Sequence, residues 1–305
     1  VSSRIRSNVL EADMYKILKR EVLVPNTVYL KIEAPEIARK ARPGQFVILR
    51  VDEVGERFPL SLSGWDKDEG TLEVLFLIMG RSTTKLASLG EGHGIMDVVG
   101  PLGKPTEIES YGKTLLVCST FGTGPVITLA KALQREGNEV VSVMEAKDES
   151  YLFWEDKLRN VSDQAHVVLG DGSRGKHKQA SQFVKEYLES GNKPDRVFVF
   201  GRVFTMMECS QVTKPFGIKT VVGLTPIMVD GTGMCGCCRV SVGGETKFTC
   251  VDGPEFDGHL VDWELLIKRK RAYLIEEARA FDLWQVDELR RVAELSELPE
   301  RTSLV

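Results

Sequence analysis

The sequence predicts serial units: a small antiparallel β-barrel, a doubly wound parallel-sheet α/β domain, a small cysteine-loop domain and a helical tail. Three observations predict this. Early residues alternate apolar and polar side chains with period two. Later ones alternate short apolar runs with amphipathic stretches. Four of the six cysteines crowd into residues 235–250. A length of 305 residues fits two or three ordinary cores. The net charge of −4 gives no basic excess, which speaks against a nucleic-acid partner. No run of about 18 apolar residues occurs, so no membrane span is expected. The first residues, VSSRIRSNVLEAD, lack the apolar core of a secretory signal, and a cytoplasmic location is expected.

Residues 1–13 carry no period and read as an extension. Residues 14–107 read as β. Val28, Leu30 and Ile32 alternate with Tyr29, Lys31 and Glu33. FVILRV follows Gly44-Gln45 and is bounded by Pro43 and Asp52. The charged turn from Asp66 to Gly70 introduces TLEVLFLI, and IMDVVG at 95–100 continues the pattern. One short helix is expected around Thr83 to Leu89. Short strands between turn signals argue for a barrel.

Residues 108–224 change rhythm. TLLVCS at 114–119 is a buried-type strand, and PVITLAKALQREG is a helix opened by Pro125 and closed by Gly137. EVVSVMEA, AHVVLG, RVFVFG and KTVVGL are further strands. YLFWEDKLRNV, SQFVKEYLESG and FTMMECSQVTKPFG are helices between them. Five strands alternating with four helices give a parallel sheet covered on both faces. Residues 225–264 are glycine-rich and irregular. Residues 265–305 are helical, with Leu266, Tyr273, Leu274, Phe281, Trp284 and Leu289 spaced to pack on a partner or on the chain's own core.

In a chain of this size, clustered thiols point to metal before disulfides. Cys235 and Cys238 form C-x2-C, and Cys250 follows at a distance. Ferredoxin-type [2Fe–2S] sites use C-x4-C-x2-C and a later cysteine. Five positions before Cys235 stands Asp230, whose carboxylate is able to take the missing place. Gly231, Gly233 and Gly236 suit a loop that wraps a cluster. Zinc on the same four residues is the competing metal. Cys237 is spare, because adjacent side chains diverge, and Cys118 and Cys209 read as small buried hydrophobes.

Two segments suit phosphates. In Arg57-Phe58-Pro59-Leu60-Ser61 an arginine precedes a strand and Ser61 can reach a flavin edge, although exposed arginines are usually only solvated. Gly80-Arg81-Ser82-Thr83-Thr84 leads into the short helix as an anion site or a plain N-cap. Cys118 to Pro125 carries Gly122 and Gly124 ahead of a helix, a partial dinucleotide turn. Asp171-Gly172-Ser173-Arg174-Gly175 follows the third strand of the sheet at a carboxyl end, where such sheets bind ligands. Glu145 ends the second strand, either to accept from a ribose hydroxyl or as a surface carboxylate. No Ser-His-Asp or paired-carboxylate site is legible. His93, His166, His177 and His259 are scattered, and His259 reads as a structural hydrogen-bond partner.

The order of barrel, nucleotide sheet and cysteine loop resembles the ferredoxin-reductase superfamily. Within it the chain is similar to electron-transfer subunits of dihydroorotate dehydrogenase and, more closely, to small subunits of the electron-bifurcating NADH-dependent reduced ferredoxin:NADP oxidoreductase. The motifs are RFPLS at 57–61, GPLG at 100–103, TKPFGIKT at 213–220, PIMVDGTGMCG at 226–236 and CVDGPEFDGH at 250–259. The resemblance implies FAD along Arg57, Pro59, Leu60, Ser61, Gly80, Ser82 and Thr83. It implies NAD(H) along Gly122, Asp171, Gly172 and Gly201. It also implies a [2Fe–2S] cluster on Asp230, Cys235, Cys238 and Cys250. Asp230 favours the bifurcating branch, since the dihydroorotate branch uses four cysteines. A hydride would pass from NADH to FAD, then single electrons to the cluster and a larger flavoprotein or iron–sulfur partner subunit, with ferredoxin served indirectly. There are two departures: Cys118-Ser119-Thr120 stands where three glycines are typical, and Arg202 where proline is common. They leave open a relay subunit with a lost nucleotide site; a dihydroorotate-type subunit is the third reading.

Overall fold

The computed structural model describes the backbone of residues 14–296 and the side chains of residues 14–287. The extension expected over 1–13, the tail beyond 296 and the Leu289 side chain lie outside the described residues.

Seven strands form the first sheet: β1 (Tyr15–Val24), β2 (Thr27–Glu33), β3 (Phe46–Arg50), β4 (Phe58–Asp66), β5 (Thr71–Leu77), β6 (Gly94–Ile95) and β7 (Asp97–Leu102). Their order is β6-β1-β2-β5-β4-β3-β7, a near-closed antiparallel barrel. The alternation read at Val28, Leu30 and Ile32 faces the barrel core with Leu72, Val74 and Phe76. Two helices interrupt the strands. Arg81–Ser88 is the expected one, two residues earlier, and Pro35–Ala38 is a single turn that the sequence pattern did not reveal.

The second sheet holds β8 (Lys113–Ser119), β9 (Glu139–Ala146), β10 (Gln164–Leu169), β11 (Arg196–Phe200) and β12 (Thr220–Gly223), all parallel, in the order β10-β9-β8-β11-β12. Helices Thr123–Arg135, Glu155–Arg159, Ala180–Glu189 and Val203–Thr213 connect them. Both faces are largely buried, so the strands read as mostly apolar runs instead of alternating ones. In β8, Leu115 and Val117 face the core with Val184, Met206 and Cys209, while Leu116 and Cys118 face the core with Val126 and Ala130. Cys118 and Cys209 are thus buried hydrophobes, as expected. The strand order reverses between β8 and β11, and the crevice at such a reversal is where these sheets bind ligands.

The cysteine-rich segment contains more regular structure than its composition suggested. A hairpin of β13 (Arg239–Val242) and β14 (Glu245–Phe248) leads to a single helical turn, Thr249–Asp252. Then β15 (Glu255–Asp257) joins β12 antiparallel and closes that edge of the second sheet. Three residues are too few to show a period, and only the pairing with β12 reveals the strand. Helices Trp263–Lys270 and Leu274–Ser296 follow.

Three contacts fix the barrel against the rest. Gly124 has no room for a side chain, because a Cβ there would overlap Ser63 of β4. Tyr29 meets Trp154 edge-on at 5.5 Å between centroids, and Lys157 lies 3.8 Å over the Trp154 ring. Phe46 and Ile48 of β3 share one apolar cluster with Met228, Cys238 and Cys250.

Candidate functional site

The loop from Met228 to Cys238 turns on three glycines in the left-handed region, Gly231 (φ +76°), Gly233 (φ +86°) and Gly236 (φ +68°). A Cβ on Gly231 would sit 2.7 Å from Leu102 and 2.9 Å from Ile48, so the loop lies flat on the barrel. Asp230 accepts hydrogen bonds from the Thr232 and Cys235 backbone N–H groups, each at 2.9 Å. The Thr232 bond is the main reason the Asp230 carboxyl lies below its ordinary range. The Cys238 and Cys250 sulfurs are 3.2 Å apart and buried. Burial, with the Cys238 thiol second, pushes the Cys250 thiol up to about 12. Metal binding must expel that proton. Cys235 is exposed and Cys237 half-buried.

Among the described residues, no group of three His, Cys, Asp or Glu side chains converges on a single-ion site. The four candidate ligands form two pairs: the Asp230 carboxylate takes the Cys235 backbone N–H and also its thiol, and the Cys238 sulfur meets that of Cys250. Two pairs suit a two-iron unit, in which each iron takes two protein ligands. Two thiolates on one tetrahedral ion lie about 3.8 Å apart, so the 3.2 Å pair needs only a small opening.

On the barrel, Ser61 of β4 pairs with Phe46 of β3, and Pro59 with Ile48. Leu60 is buried in the core. Arg57 is half exposed, 3.6 Å from the Asp97 carboxylate. Gly80 caps the Arg81–Ser88 helix, and the Thr83 hydroxyl accepts from the Met79 and Gly80 N–H groups at 2.9 and 3.1 Å. The Ser82 hydroxyl donates to Glu56 at 2.8 Å. That bond brings the Arg57 turn and the start of this helix together, although they are distant in sequence. No acidic residue of the helix itself stands in its first turn, and the carboxylate at its positive end is that of Glu56, held on the Ser82 hydroxyl.

Between the barrel tip and the sheet's carboxyl ends lies a cleft of about 310 Å³. Asn26 and Met79 line it from one side, and Thr120, Glu145, Lys147 and Arg202 from the other. Of the residues expected to meet a nucleotide, Glu145 lines it, while Gly122, Asp171, Gly172 and Gly201 do not, and several of these serve packing. A Cβ on Gly122 would overlap the Phe200 carbonyl, and one on Gly201 would overlap Ser119. The Ser119 hydroxyl accepts from the Arg202 N–H at 2.9 Å. Asp171 accepts from the backbone and hydroxyl of Ser173 in a tight turn with Gly172 at φ +79°.

Glu145 corrects one of its two sequence readings. It is 3% exposed, so it is not a surface carboxylate. Its oxygens already accept from the Ala180 N–H at 2.7 Å, the Thr205 hydroxyl at 3.1 Å and Arg202, three bonds that hold the carboxylate at the cleft wall. Thr120 adopts φ +50°, which explains why glycine suits the position, and its hydroxyl is buried with no hydrogen-bond partner. Asn26, Met79 and Lys147 escaped sequence reasoning; only the positive φ of Asn26 hints that its turn is special. His259 holds the structural place expected of it, 2.9 Å from the Thr213 hydroxyl.

Residues 225–262 match the iron–sulfur cluster binding domain of dihydroorotate dehydrogenase B. The chain is 39% identical over 267 residues to a Thermotoga maritima homologue of the dihydroorotate dehydrogenase B (NAD(+)) electron transfer subunit, covering 88% of this chain and 94% of that protein. It is 41% identical over 275 residues to an uncharacterised protein in the adh 3′ region of Clostridium beijerinckii, covering 88% and 93%. A solved chain of the NADH-dependent reduced ferredoxin-NADP oxidoreductase superposes with a TM-score of 0.84 at 38% identity, covering 89% of this chain and 98% of that one. Ferredoxin NADP+ reductase from Neisseria gonorrhoeae shares the fold, with a TM-score of 0.54 at 16% identity. No helix among the described residues is long and apolar enough to cross a membrane. The chain belongs to the family of dihydroorotate dehydrogenase B electron-transfer subunits and their homologues, oxidoreductase subunits of ferredoxin-reductase-like fold that work within larger complexes.

Proposed function

We propose that this chain is the electron-transfer subunit of an NADH-dependent, electron-bifurcating ferredoxin:NADP oxidoreductase, working in the cytoplasm with a larger flavoprotein subunit. The observation that carries the reading is the junction at Phe46. Its backbone pairs with Ser61, and its ring packs in one cluster with Cys238 and Cys250. The strand that would touch a flavin and the loop that would ligate iron therefore share one dry seam.

Arg57, Ser82 and Thr83 would hold the FAD diphosphate, with Ser61 beside the ring, and Asp230, Cys235, Cys238 and Cys250 would hold the cluster. Bound there, FAD supplies the change from hydride to single-electron chemistry and the cluster supplies a one-electron carrier. The chain's own residues orient, exclude water and carry fixed charge; no side-chain acid or base is needed. Asp230 in place of a thiolate supports the bifurcating branch over the dihydroorotate one. A second reading, a relay subunit whose nucleotide site is altered, is favoured by the engagement of Glu145 and by the Thr120 side chain at the cleft.

The test is purification of Cys238→Ser and Cys237→Ser beside the parent. The parent and Cys237→Ser should hold about two irons and one FAD, while Cys238→Ser keeps FAD and loses iron. NADH should bleach the parent's flavin. Equal iron loss in both variants would refute the ligand set. Bound FAD and iron with no response to NADH would select the relay reading.

A further inference from the structure

A second, smaller cavity opens beside the cysteine loop, away from the cleft. Its volume is about 110 Å³, well above the roughly 10–15 Å³ that one water needs. Three cations line it, Arg239, Arg269 and Lys270, together with Cys237, Ile227 and Tyr273. Each cation donates to a backbone carbonyl. Arg239 reaches Gly236 O at 3.0 Å, Arg269 reaches Cys237 O at 3.1 Å, and Lys270 reaches Thr225 O at 2.5 Å.

Among the described residues, no carboxylate forms an ion pair with any of the three. The other close ion pairs of the chain do place an acid beside each cation, as Arg174 has both Glu149 and Glu155. Carbonyls align these cations but do not neutralise them. Charges gathered in a half-buried space repel one another and lose hydration. Burial holds the Lys270 ammonium below its ordinary range, and only the more distant field of Glu277 opposes this. Each guanidinium has five donors, and the carbonyl bond uses one of them. The remaining fork geometry matches an oxyanion.

We propose that this cavity is an oxyanion site that takes a free, phosphate-sized dianion between Arg239, Arg269 and Lys270. Three cations around a partly open space of this size match a compact dianion better than a single carboxylate. The occupant would rest against the loop that carries Cys235 and Cys238 and would add negative charge beside it. The site stands on the cavity and its charges, and does not depend on the redox reading.

The experiment is calorimetric titration of the purified full chain with inorganic phosphate at constant ionic strength. One saturable site is expected, with sulfate competing and chloride not. Arg239→Gln and Lys270→Met should each weaken binding about ten-fold or more, the loss of one charge-assisted hydrogen bond. Lys268→Gln, exposed on the same helix, should bind as the parent does. Lys270→Met retains an apolar stem, so it guards against a simple folding failure. No saturable heat, or parental affinity in both cavity variants, would overturn the proposal.

Discussion

Replacing Thr120 with glycine isolates the strain at the end of β8. The native φ of +50° costs an L-residue about 1–2 kcal/mol, and a β-branched one sits at the upper end. Glycine removes that cost but loses about 0.5–1 kcal/mol in chain entropy. The orphaned Thr120 hydroxyl adds a second gain, about 1–3 kcal/mol for an unpaired buried group, offset by the lost contacts of the methyl group. Alanine separates the two contributions, because Thr120→Ala also removes the hydroxyl but keeps the strained backbone. Thr120→Gly should therefore exceed Thr120→Ala by about 1 kcal/mol. In a chain this long that is roughly 2 °C in melting temperature. Differential scanning calorimetry of both variants at one scan rate, with the same FAD loading, reads the difference. Equal melting temperatures, or glycine below alanine, would refute the strain argument.

Two further outcomes follow from the same geometry. Gly122→Ala drives a methyl into the Phe200 carbonyl, a backbone atom that cannot step aside, and should destabilise by about 1–3 kcal/mol in urea unfolding. Glu255 lies against Gly44 and accepts from the Thr106 hydroxyl, and burial pushes its carboxyl up to about 7. From the unfolded value of about 4.3 up to that point, the native chain keeps a proton that the unfolded chain has lost. Stability therefore falls as pH rises across this window, by up to roughly 3–4 kcal/mol. Urea midpoints at pH 5 and pH 8 should show the fall, and Glu255→Gln should flatten it.

Much of this molecule was legible because its strong signals are local. Leu115 to Cys118 announces a strand buried on both faces, and Pro125 in the first turn and Gly137 past the end mark a helix that runs from Thr123 to Arg135, two residues earlier than the proline alone suggested. Gly231, Gly233 and Gly236 between Asp230 and Cys238 mark a loop whose backbone needs left-handed turns. What stayed hidden is long-range. Glu145 looked available until Ala180, Arg202 and Thr205 were seen to claim it from 35 to 60 positions away. That Gly122 has no room for a side chain, because the Phe200 carbonyl stands beside it, is visible only in three dimensions. The cleft takes one wall from Val24 to Thr27 and Leu77 to Met79, which no motif connects to the sheet.

The pairing of β15 with β12 has a consequence for modularity. The cysteine segment is not a bead that can be clipped from the end of the gene. Truncation before residue 225 would strip the covering strand from Val221 to Gly223 and bare a row of amide and carbonyl groups, the kind of edge that recruits strands from other molecules. Shortened versions of this protein would be expected to aggregate instead of surviving as tidy flavin-binding fragments.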